Sequence, residues 1–71
     1  MINLRMVLGE GANERDRGEQ GFAYLPHTDD IVIGYIDGKM TRLRVSELYH
    51  YPTSSAGPGR EPFALIRVER S

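Results

Sequence analysis

The residues of this chain that could bind a metal or move a proton are few: His27, Asp29, Asp30 and His50. Two imidazoles and two carboxylates form a donor set suited to a divalent ion. However, "HTDD" has no recognised ligand spacing, and His50 stands on a different segment. The simpler expectation is that Asp29 or Asp30 caps a turn while both histidines lie on the surface. No metal site and no cofactor are expected. Ser46, Ser54 and Ser55 lack the context of an activated nucleophile, and two of them fall in a Pro/Gly/Ser-rich stretch. The glycines of "GEGANERDRG" have neither the lysine nor the following helix that let backbone amides converge on a phosphate. No catalytic residue is assigned, and the chain is expected not to be an enzyme.

Basic residues offer a second chemistry. Arg5, Arg42, Arg44 and Arg67 interleave with Tyr35 and Tyr49 along strand-like segments. Bases stack on aromatics while guanidiniums meet phosphates, which is how small barrels hold single-stranded nucleic acid. Nine basic against ten acidic residues give a net charge of −1, without the basic excess of a duplex binder. Strand arginines also commonly cover apolar surface with their stems. Nucleic-acid binding is therefore the alternative and not the leading expectation.

The segments that would position these residues follow from period and turn chemistry. Ile2, Leu4, Met6 and Leu8 alternate with Asn3 and Arg5, the pattern of a half-buried strand. Gly9–Gly21, with four glycines and six charges, reads as a long mobile loop. Phe22–Leu25 reads as a short strand ended by Pro26. In "IVIGYIDGKMTRLRV" the Asp37-Gly38 pair marks a type I′ hairpin. A two-residue loop sets Ile36 opposite Lys39, Tyr35 opposite Met40 and Ile33 opposite Arg42. Gly34 at mid-strand suggests a bulge or bend. Beyond Val45 the apolar phase shifts, so a bulge or single helical turn is expected near Ser46-Glu47. Pro52–Pro62 reads as a second flexible loop and Phe63–Arg70 as the last strand.

Seventy-one residues form one domain, spanning 1–71, that buries about 60% of its unfolded surface. Without cysteine, stability has to come from a compact core or from association. No window approaches the roughly 20 apolar residues of a membrane span, and no secretory signal pattern is present. A soluble, cytoplasmic protein without membrane contact is expected. Five strands in this order predict an all-β fold, a small five-stranded SH3-like, partly open barrel with two long flexible loops. An OB-like barrel is the alternative.

The segments "YLPHTDDIVI", "DGKMTRLRVSELYHYP" and "PFALIRVE" resemble small uncharacterised bacterial β-proteins. The shared pattern is a Pro-initiated turn, an acidic residue before an apolar strand, a Gly hairpin, an "RV" strand and a final strand. The resemblance covers about Tyr24 to Glu69 and implies an SH3-like barrel; it carries no activity and no functional residue. This chain departs from it in having two acids, Asp29 and Asp30, and a long charged first loop.

The hairpin carries apolar side chains on both faces. Val32, Ile36, Leu43 and Val45 lie on one, and Ile31, Ile33, Tyr35 and Met40 on the other, with Arg42 and Arg44 over them. A small barrel has one interior. The second set therefore forms an exposed patch of the kind that marks interfaces, unless a bend at Gly34 folds both faces inward. Phe63 and Leu65 repeat the pattern on the last strand. The expected partner is a second copy, giving a homodimer, or another protein.

Overall fold

The computed structural model describes all residues from Met1 to Ser71. Five strands form one curled sheet: β1 (Ile2–Leu8), β2 (Arg15–Phe22), β3 (Ile31–Ile36), β4 (Lys39–Tyr51) and β5 (Phe63–Arg70), in the order β2-β1-β5-β4-β3. Neighbours are antiparallel except β1 and β5, which run parallel. The sheet curls into a half-barrel whose two open edges are β2 and β3.

The core follows the period-two pattern. Leu4, Met6 and Leu8 meet Ile36, Leu43, Val45, Ile66 and Val68, and Leu43, Val45, Ile66 and Val68 have no exposed surface. Phe22, Leu25, Val32, Leu48 and Ala64 pack around this cluster.

The hairpin has the register that a two-residue loop demands, from Ile36 opposite Lys39 to Ile31 opposite Arg44. Asp37 (φ +52°) and Gly38 (φ +80°) both take left-handed backbone, which defines the type I′ turn. The register along β4 and β5 slips between Val45 and Glu47, so Ser46 is the extra residue of a bulge. That bulge returns Leu48 to the core face, opposite Ile66.

Four expectations are corrected. Gly9–Gly21 is not one long loop: only Gly9–Glu14 connects, through a short 3-10 turn at Gly11–Asn13, before β2 begins at Arg15. The second strand is therefore Arg15–Phe22 and not Phe22–Leu25; it pairs with β1 from Leu8–Arg15 to Ile2–Phe22. The Pro52–Pro62 segment is not all loop either, since Thr53–Ala56 forms one helical turn, α1, that buries Ala56. Gly34 makes no bulge, because the β3–β4 register runs through it unbroken. Its place is steric: a Cβ there would stand 3.2 Å from Leu43 Cδ1, so glycine leaves room for the fully buried leucine. No helix is long and apolar enough to cross a membrane.

Candidate interaction face

With its register fixed, the hairpin turns Ile31, Ile33 and Tyr35 outward along β3, with Met40 beside Tyr35 on β4. These side chains retain 44%, 58%, 69% and 68% of their accessible surface. The backbone does not bend at Gly34 to bring them inside. Arg42 is exposed opposite Ile33, and no carboxylate pairs with it.

Arg44, opposite Ile31, is held differently. Its Nη1 donates to Asp29 Oδ1 at 2.6 Å and its Nη2 to Glu69. Glu69 stands directly across the β4–β5 ladder from Arg44. These two carboxylates, Glu69 foremost, push the guanidinium pKa up and keep Arg44 charged and occupied.

Phe63 and Leu65 do not join this patch. They pair with Tyr51 and Tyr49 at the far end of β4, up to about 30 Å along the strand from Met40. There Tyr51 and Phe63 stack with centroids 4.6 Å apart, and the Arg60 guanidinium lies 5.4 Å from the Phe63 ring centroid. The outer sheet thus bears two apolar clusters. The Arg44–Glu69 and Glu47–Arg67 cross-strand pairs lie between them.

Arg5 and Arg67 also meet carboxylates of the same chain. Arg5 Nη1 donates to Asp16 Oδ2 at 2.5 Å, linking β1 to β2. The Gly18 N–H foremost, helped by Arg5, holds the Asp16 carboxyl below the usual carboxylate range, against the opposing effect of desolvation. Arg67 Nη1 donates to Gly9 O at 2.7 Å and Glu14 Oε2 at 3.0 Å, pinning the first connection to β5. Its Nε lies 3.2 Å from Glu47 Oε1 but makes no aligned hydrogen bond. Glu47 also pushes the neighbouring Tyr49 phenol pKa up. Three of the four arginines suited to phosphate are therefore already in ion pairs.

The polar residues that could have made a chemical site are dispersed. Asp30 closes the turn itself: its Oδ2 accepts the His27 N–H at 2.8 Å, and its own N–H donates to His27 O at 3.0 Å. Asp29 has φ +74° and donates its N–H to Val45 O. His50 sits on β4 opposite Ala64. No three His, Asp or Glu side chains gather closely enough to hold an ion. Ser46 Oγ donates to Arg67 O, and Ser54 and Ser55 are exposed on α1.

One feature was not legible in the sequence. A cleft of about 400 Å³ separates the open edges, lined on one side by Arg17, Gln20 and Phe22 of β2 and on the other by Ile31, Ile33 and Tyr35 of β3. Finding it required knowing that β2 exists. Compared with protein-family models, curated proteins and solved structures, the chain has no match.

Proposed function

We propose that this domain is a non-enzymatic protein-interaction module that binds through the outer face of the β3–β4 hairpin. The observation that carries the reading is the exposed row Ile31, Ile33, Tyr35 and Met40, rimmed by Arg42 and Arg44. Tyr, Met and Arg are enriched at the centres of interfaces. Removing the exposed parts of these four side chains from water would contribute on the order of 10 kcal/mol before the costs of association are met. Such a gain matters to a chain this small, which has no disulfide. The half-barrel reads as an SH3-like scaffold that acts in the cytoplasm, with the hairpin as its binding element.

Nucleic-acid binding is less well supported. Arg5, Arg44 and Arg67 would have to leave carboxylate partners to reach a phosphate.

The test combines sedimentation of the protein alone with panning of a displayed library of extended peptides. Association or peptide capture should persist in about 1 M salt, where surface charge attraction is screened. It should be lost in Ile33→Asp and Tyr35→Ser variants that still fold. A protein that neither self-associates nor enriches peptides, yet binds a labelled single-stranded oligonucleotide with steep salt dependence, would overturn the reading.

A further inference from the structure

We infer that the hairpin's partner is a second copy of the same chain, joined strand to strand along the free edge of β3, which sets the two outer rows side by side in one continuous face. The pairing has a two-fold axis at Ile33. The inference rests on the interaction reading above and adds to it the occupant and the geometry.

Hairpin geometry decides which backbone groups are free. A two-residue turn makes Ile36 and Lys39 a hydrogen-bonded pair, and bonded pairs recur at every second position, at Gly34–Thr41 and Val32–Leu43. The same phase continues where the Val45 N–H donates to Asp30 O at 2.9 Å. It appears from the other side of β4, where the Ser71 N–H reaches Arg42 O at 3.1 Å. Ile31, Ile33 and Tyr35 therefore direct both N–H and C=O away from β4. No strand of this chain covers them, because the cleft keeps β2 away.

The two open edges are treated differently by the sequence. β2 carries Arg15, Asp16, Arg17 and Glu19, the charges by which edge strands resist pairing. β3, Ile31–Ile36, carries no charge, no proline and no bulge. It is rich in β-branched and aromatic residues, so it has the composition of an inner strand while occupying an edge.

The edge is complementary to itself. An axis at Ile33 sets Ile33 against the partner's Ile33, and Ile31 against the partner's Tyr35, on the same face. Those are β-branched and aromatic cross-strand pairs of the favourable kind. The same alignment pairs every free N–H with a free C=O in antiparallel fashion. Charge does not oppose it. Arg17 of β2 lines the cleft beside this edge but faces a strand without charge, and the unpaired cation of the patch is Arg42, one strand behind Ile33. It would stand three strand spacings, about 14 Å, from its twin, beyond the screening length of physiological salt. A two-fold axis also closes the assembly at two chains, because the charged β2 edge has no complementary strand to recruit.

Amide exchange tests the proposal directly. NMR exchange rates are measured from about 20 µM to 1 mM, alongside sedimentation. Protection of the Ile31, Ile33 and Tyr35 amides should rise at least tenfold as dimer forms, while Val32, Gly34 and Ile36 stay protected throughout. Ile33→Pro removes an edge donor outside the β3–β4 ladder, so it should give a folded monomer. Association with no added protection at those three amides would overturn the proposal, as would a folded Ile33→Pro chain that dimerises like wild type. If the proline variant does not fold, the wild-type amides decide. A wild type monomeric at 1 mM overturns the pairing, whereas the broader interaction reading then stands or falls on the peptide panning.

Discussion

Replacing Gly38 by valine isolates the energetic weight of the hairpin turn. Gly38 has φ +80°, and no atom lies within 4 Å of the position its Cβ would take. The substitution therefore creates no clash with neighbouring elements, and its cost is almost wholly backbone strain. Left-handed backbone costs an ordinary residue about 1–2 kcal/mol and a β-branched one more, so about 2 kcal/mol is expected for valine. For a domain of this size that corresponds to a fall in Tm of roughly 8–16 °C. Gly38→Asn is the control, because asparagine tolerates left-handed backbone and should cost about 1 kcal/mol or less. Thermal unfolding followed by circular dichroism, on both variants at one concentration, reads the difference. An unchanged Tm for valine, or an asparagine variant as unstable as the valine one, would refute the assignment of the loss to the turn.

Leu43 is fully buried between β3, β1 and the core, so Leu43→Ala should lose about 2–5 kcal/mol in urea unfolding; a loss under 1 kcal/mol would mean that the half-barrel core is loosely packed. Asp16 is held charged by the Gly18 N–H and Arg5, so its folded pKa lies below its unfolded one. Its contribution is therefore complete above the usual carboxylate range and fades as pH falls through the lowered value. The gap in urea midpoint between wild type and Asp16→Asn should accordingly shrink on acidification, and a widening gap contradicts this. Zinc at about 1 mM should leave Tm unchanged, since any ligand specific to the native state must raise it; a saturable rise lost in His27→Ala would reveal a site.

The parts of the fold that were readable in the sequence are those in which apolar period and turn chemistry act together. β1, the hairpin register, the break at Ser46 and the limits of β5 all rest on side chains that face one core. β2 was not readable for the converse reason. Its strand contains two glycines and four charged residues, and it is held by backbone pairing to β1 and by the Arg5–Asp16 ion pair. Only the complementarity of Arg5 with Asp16 and Glu19 hinted at it, and that signal needs the register to be known first. The exposed patch was half readable: its β3 row follows from the turn. The removal of Phe63 and Leu65 to another cluster depends on the β4–β5 ladder and its bulge, which no local pattern specifies.

The position of β5 shapes how the chain can reach this structure. β1–β2 and β3–β4 are hairpins formed from neighbouring sequence, yet they do not touch each other as ladders; each pairs with opposite sides of β5. β5 is thus the keystone, and its parallel partner, Arg5–Leu8 against Leu65–Val68, lies 60 residues away along the sequence. Bringing such distant segments together is entropically slow compared with forming a hairpin. Two hairpins can therefore form before they are joined, each with the edge that will face β5, that of β1 and that of β4, unpaired until β5 locks them into one sheet.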